Sequence, residues 1–426
     1  MTQRHPEDPS LPTVAIAPRP GWTRTLLDVP AFRYRDFRFL WLSTFLTSVA
    51  STSEQLALSW YALTESDTPF MVGVALGLRM APFFLFGLPA GVLADRVDRR
   101  HAMRLLIVGM AAISVVIGVI ILRDMGKLEL WLVLVPTFVA GSLRAVYQTM
   151  KHSAVYDIVG HAHASNGLAI NSIATRIGAV VGSLSAGSLV ARASVPTVYM
   201  VVAGIYLLGA LAVMLIRSRG QAAPTARTSV RQGLREYVRE VRHNRGLRLL
   251  FLYTSVAEVL GFSHQVLLPS LARDVLKVGA EGLGLMNAVR ALGGILGTAI
   301  LTSLGTVRRQ GVLFLVSLHL FGGSIILLSV VPNLPVALAL LALVNAMGSI
   351  TDVLLQSLMQ LSVPNELRGR AMGSYLLAIG TSPLGQLQLG ALASVTTVAL
   401  AFTINGAALV ALAALGTVLF PTLRRL

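Results

Sequence analysis

The chain has 426 residues, of which 54% are hydrophobic and 13% charged, and it contains no cysteine. Ordinary soluble domains are about a quarter charged, so the composition excludes that class; the missing cysteines exclude disulfides, thiolate chemistry and cysteine-based metal sites. The formal net charge of +16 would fit a nucleic-acid partner. Its arginines, however, fall in loops between long apolar runs, where they orient helices and meet anionic headgroups. No nucleic acid is therefore expected among the partners.

Residues 1–38 are polar, rich in Pro and Arg, and lack the apolar core of a signal peptide. They read as a cytoplasmic tail ending in a short juxtamembrane helix, with Arg33, Arg35 and Arg38 near the headgroups. Beyond them the apolar runs lengthen to the roughly 20 residues that cross a hydrocarbon core. These runs are apolar on every side, without the 3.6-residue stripe of a soluble amphipathic helix. Spans are predicted at 39–64, 70–93, 102–122, 130–151, 164–190 and 195–217 in a first set. A second set falls at 248–272, 281–305, 311–331, 335–360, 371–393 and 396–420.

Loop charges test that count. Loops expected inside carry Arg96, Arg99 and Arg100, then Lys151, the Arg-rich 217–248 stretch, Arg308 and Arg309, and Arg368 and Arg370. Loops expected outside carry Glu65 and Asp67, a mixed set from Arg123 to Glu129, Arg192, and a balanced set from Arg273 to Glu281. Twelve spans with both termini cytoplasmic satisfy the positive-inside rule at nearly every turn. Eleven would put half of the basic loops on the wrong side.

The expected organisation is a tail (1–38), a first six-helix bundle (39–217), a cytoplasmic linker (218–247) and a second six-helix bundle (248–426). Within the linker, Leu234, Val238 and Val241 share one face opposite arginines, which predicts an amphipathic helix on the inner leaflet. The halves echo each other. Gly73 precedes Arg79 by the same interval that separates Gly284 from Arg290, and Gly141-Ser142 before Gln148 matches Gly348-Ser349 before Gln356. A repeat of this length is what two related bundles with a site between them require.

The loop after the second span reads GVLADRVDRR, with Gly91, Asp95, Arg96, Arg99 and Arg100 at fixed spacing. Together with Arg144 and Gln148 in span 4, and VPNELRGRAMG from Val363 to Gly373, it resembles the major facilitator superfamily of transporters, in particular its drug and siderophore exporter branch. The resemblance runs from Tyr34 to the last span. Asp98 stands where the superfamily has glycine. In span 5, Gly178, Gly182 and Gly187 fit the antiporter signature, but Ser183 stands in place of its proline. The resemblance implies an all-α membrane protein of twelve transmembrane helices in two bundles, acting as a monomer in a bacterial inner membrane. It also implies that Asp95, with Arg96, Arg99 and Arg100, latches the cytoplasmic side against span 11. The other reading of the cluster is an orientation signal alone, although Asp contributes little to orientation.

An ionisable group near the centre of a span costs about 3 kcal/mol on insertion scales, so it normally faces a cavity or a partner. The acids placed there are Glu54, Glu258 and Asp352; the bases are Arg79, Arg144, Arg176 and Arg290. The resemblance assigns spans 1, 4, 7 and 10 to the central cavity, where Glu54, Arg144, Glu258 and Asp352 would fall. Glu258 is the first candidate for proton coupling, followed by Asp352 and Glu54, with static ion pairing (Asp352 with Arg144, for instance) as the alternative. Arg176 could neutralise an anionic substrate, whereas Arg79 and Arg290, related by the repeat, are expected to be structural. His264 and His319 read as satisfied buried histidines, and His161 and His163 have no companion at ligand spacing, so no metal is expected.

No phosphate-cradling GxxxxGK[ST], GxSxG or HExxH sequence occurs, and tail and linker are too short for a catalytic domain. Neither an enzyme nor a cofactor is expected. The reading is a secondary transporter that exports small amphipathic molecules by proton antiport, with substrate, protons and inner-leaflet lipids as partners. A proton-coupled importer and a lipid or lysolipid flippase of the same fold remain open.

Overall fold

The computed structural model describes residues 30–94, 97–124, 130–218, 245–305, 309–363, 372, 375 and 377–419. The amphipathic linker helix, most of the tail, Asp95, Arg96, Arg308, Arg368 and Arg370 lie outside the described residues.

Within the described residues the chain is nearly all helix. A 3-10 turn, Pro30–Arg33, leads into α1 (Arg35–Ser66), followed by α2 (Pro69–Ala94), α3 (Arg99–Asp124), α4 (Trp131–Arg192) and α5 (Val195–Met214). The second part holds α6 (Arg245–Leu260), α7 (Gly279–Ser303), α8 (Gln310–Leu328), α9 (Leu334–Leu361), α10 (Ser382–Val395) and α11 (Val398–Leu419). Nine segments are long and apolar enough to cross a membrane. Large apolar side chains such as Leu105, Val135, Leu208 and Val418 are exposed around the molecule, which is a surface made for lipid rather than water. The chain is a multi-pass membrane protein.

Local chemistry sets the breaks. α4 runs through the boundary expected between spans 4 and 5, and its two arms part at Gly160 (φ 71°, ψ 169°), a backbone region essentially restricted to glycine. Helices α5 and α9 start on side-chain caps: Ser194 Oγ accepts from Thr197 N and Asn333 Oδ1 from Val336 N, and both carry proline in the first turn.

Span 7, expected at 248–272, falls within the membrane-length segment Gly246–Val275, which is not α-helix throughout. After α6 the backbone tightens into a 3-10 stretch, Phe262–Leu267, passes through Leu268–Ser270 and widens into a π turn, Leu271–Val275. Two residues account for this. Gly261 lies so close to Phe321 that a Cβ would fall 2.5 Å from its ring, and Pro269 has no N–H to give to the preceding turn. A run of residues with span-like hydropathy does not reveal where its hydrogen-bond ladder fails.

Helices α1, α2 and α3 pack with α4 and α5, while α7, α8, α9 and α11 pack among themselves. The two groups meet where α4 crosses α7 and α2 crosses α10. At the first crossing Gly187 and Gly284 face each other: a Cβ on Gly284 would sit 2.6 Å from Ser183 O and 2.9 Å from Gly187 Cα. Without a hydrophobic drive between helices in lipid, small residues of this kind let backbones approach and gain dispersion contacts. Gly178 and Gly182 do the same against Phe45 and Val49 of α1.

Candidate functional site

Three groups of polar side chains lie at depth in the helices. The first is built on α1, α4 and α5. Arg144 Nη2 donates to Glu54 Oε2 at 2.7 Å, and the two side chains are 6% and 2% exposed. Tyr206 Oη donates to the same carboxylate oxygen at 3.0 Å and accepts from Arg144 at 3.3 Å. Charge and hydrogen bonds are both satisfied at Glu54, which makes the pair a fixed strut. The partner of Arg144 is thus Glu54 and not Asp352. Tyr206 was not singled out in the sequence, where a tyrosine in an apolar span carries no signal.

The second group belongs to α6, α9 and the described part of the segment before α10. Glu258 is 8% exposed and within electrostatic reach of Asp352, with Ser382 nearby. Tyr375 donates its hydroxyl to Asp352 Oδ1. Gln356 Nε2 donates to Asp352 Oδ2 at 3.3 Å and to Tyr375 Oη at 2.7 Å. Arg176, from the second arm of α4, lies within electrostatic reach of Asp352, with Nη1 beside Gly294 of α7. Among the described residues neither Glu258 nor Asp352 makes an ion pair. Asp352 therefore holds neutral hydrogen-bond donors in place of a cation.

The third group connects the two parts of the chain. Arg79 of α2 donates to Ser51 O (2.7 Å), Ser51 Oγ (2.9 Å) and Gln55 Oε1 (3.3 Å). Gln55 Nε2 reaches Gln265 Oε1 at 3.4 Å, and Arg290 Nη1 of α7 donates to that same oxygen at 3.2 Å. Gln265 sits in the 3-10 stretch that breaks span 7. The repeat-related arginines therefore converge on two glutamines that were not identified beforehand. A signal existed: Gln55 and Gln265 are 210 residues apart, within one residue of the interval between Arg79 and Arg290.

The histidines behave as expected. His264 Nδ1 donates to Gly261 O at 2.8 Å and Nε2 accepts from Asn345 at 3.4 Å; His319 Nδ1 donates to Leu315 O at 2.8 Å. At the start of α3, Arg99 pairs with Asp157 at 2.6 Å and Arg100 donates to Ile216 O at 2.6 Å, both within the first part of the chain. At the opposite end, Arg273 pairs with Asp67 at 2.6 Å and Arg192 with Glu281 at 3.3 Å, each pair crossing between the two parts.

A helical membrane chain with two crossing helix groups and carboxylates held at depth has the features of a secondary transporter. The model for the family described as transmembrane secretion effector matches residues 29–424, and the chain belongs to that family of the major facilitator superfamily. It is similar to the staphyloferrin A transporter of Staphylococcus aureus, with 23% identity over 87% of this chain and 92% of the relative. It is also similar to the enterobactin exporter of Salmonella typhimurium, with 25% identity over 91% of this chain and 93% of that protein. A solved nucleoside transporter superposes with TM-score 0.75 at 13% identity, covering 91% of this chain and all of its own, which shows the shared fold.

Proposed function

We propose that the protein is a secondary active exporter of small amphipathic molecules, working by proton antiport and alternating access in the inner membrane of a bacterium. The observation that carries this reading is the contrast between its acids. Glu54 is locked to Arg144, whereas among the described residues no cation lies at ion-pair distance from the buried Glu258 or the half-buried Asp352. A carboxylate kept from water and from a fixed counter-charge can be emptied and refilled with a proton as access alternates. The name of the enterobactin exporter supports export over import.

In this reading twelve spans form two bundles, 39–217 and 248–426, joined by the 218–247 linker with tail and C-terminus cytoplasmic. The break at Gly160, and the breaks around Gly261 and Pro269, fit six passes in each half. Asp95 and Arg96 latch the cytoplasmic side, while Arg99 and Arg100 anchor that loop to Asp157 and Ile216. The transporter acts as a monomer, its basic loops seated on anionic headgroups.

The test is efflux of preloaded dyes, cationic rhodamine 6G and anionic fluorescein, from cells expressing wild type or Glu258→Gln, with and without a protonophore. Protonophore-sensitive efflux of either dye that the variant loses is the expected result. Efflux that Glu258→Gln retains in full, still sensitive to the protonophore, refutes the coupling role.

A further inference from the structure

Arg79 is buried and Arg290 half-buried among the helices. Arg79 is 4% exposed, and among the described residues neither arginine makes an ion pair. Their hydrogen-bond partners are neutral: a backbone carbonyl, a serine hydroxyl and two glutamine amides. Nε of each arginine has no partner among the described residues, as is also true of Nε and Nη1 of Arg144. Glu54, the acid within reach of Arg79, is already taken by Arg144. A guanidinium held at depth by neutral acceptors is costly, and these two, unlike Arg144, make no ion pair among the described residues.

Their position adds a second, independent point. One arginine comes from each half, and both reach Gln55 and Gln265 where the halves meet. Gln265 lies on 3-10 backbone rather than α-helix. Non-α backbone at membrane depth is tolerated where it lines a cavity or is covered by protein, and it marks places that rearrange.

We propose that Arg79 and Arg290 are the two prongs of a receptor for an anionic group, a carboxylate of the transported molecule, and that the Gln55–Gln265 pair holds the prongs while the site is empty. A carboxylate makes charge-assisted, bidentate hydrogen bonds with guanidinium, roughly twice as strong as those made by a neutral amide oxygen. It therefore displaces the glutamine oxygens from both arginines. Because the prongs belong to different halves, an anion held by both ties its own binding to how the halves are arranged. This inference rests on the transporter reading and narrows its substrate class to amphipathic anions.

The experiment uses the purified full chain in detergent and two probes with one apolar body and opposite charge, 2-naphthoate and 2-naphthylmethylammonium, with binding followed by calorimetry. Wild type is expected to prefer the naphthoate by about tenfold or more, the scale of one charge-assisted contact. Arg290→Gln and Arg79→Gln abolish the preference, whereas Arg290→Lys, which keeps charge and fold, retains part of it. A wild type that binds the ammonium equally well, or binds neither probe, overturns the proposal, as does a folded Arg290→Gln with unchanged naphthoate affinity. The dye assay separates the two failures. Protonophore-sensitive rhodamine 6G efflux without naphthoate binding leaves the exporter reading standing and removes the anion site. Naphthoate preference lost in Arg290→Gln, without efflux of either dye, does the reverse.

Discussion

Gln55 and Gln265 touch across the boundary between the halves, amide nitrogen to amide oxygen at 3.4 Å, and each also holds the arginine of its own half. A neutral contact of this kind contributes only about 0.5–1.5 kcal/mol, so it can be made and broken in each transport cycle. The same part of the molecule uses a much firmer connection, Glu54 with Arg144, inside one half. Of these two contacts the firm one lies within one half and the weak one between the halves.

Glu258→Gln should express and melt like wild type, because the amide fills the same volume and no ion pair among the described residues is lost. Dye efflux in this variant should no longer respond to an imposed pH gradient. Counterflow, which needs binding but no net proton movement, should persist. Measuring both in the same vesicles checks the assignment.

Arg144→Met leaves Glu54 buried without its cation and should cost about 3–5 kcal/mol of stability, with a matching fall in melting temperature. Replacing both residues, Glu54→Leu with Arg144→Met, should recover most of that loss, since the unpaired charge is gone. Thermal melting of the two variants side by side decides it. A double variant as unstable as the single would show that Tyr206 and its neighbours need the charges themselves.

Gly284→Leu forces a side chain into the contact with Gly187 and Ser183, where even a Cβ has no room. The helices must then separate at that crossing, and transport should be abolished while protein reaches the membrane. The chain lacks cysteine, so Asp67→Cys with Arg273→Cys can report the separation directly. A short thiol cross-linker should join them in the parent and fail in the Gly284→Leu background.

Asp67→Ala should change the melting temperature little. Its ion pair with Arg273 is 2.6 Å long but the aspartate side chain is 82% exposed, and exposed pairs contribute about 0–1 kcal/mol. The expected effect is on the rate at which that end opens, read as faster modification of an introduced thiol nearby. A loss of several degrees in the melt would contradict this account.

Asp95→Asn should slow turnover and leave substrate affinity nearly unchanged, since the latch proposed for it would act between halves and not on substrate. A Michaelis analysis of efflux separates the two effects; a raised KM at unchanged maximal rate argues against the latch.

Hydropathy, loop charge and the GVLADRVDRR motif made the membrane class and the family legible in the chain, because lipid imposes long apolar helices and the positive-inside rule imposes where arginines go. They also pointed to the ionisable residues at depth, since any charge in a span stands out against its surroundings. What they could not supply was partnership. Arg144 choosing Glu54 over Asp352, the recruitment of Tyr206 and Tyr375, and the meeting of Gln55 with Gln265 depend on how helices far apart in sequence rotate about their axes. The break in span 7 depends on Phe321 pressing against Gly261, sixty residues earlier in the chain. A single sequence read along its length records which groups must be satisfied in a low-dielectric medium. Only the packed structure decides which groups satisfy each other, because that choice is made by close contact between surfaces the chain brings together from distant positions.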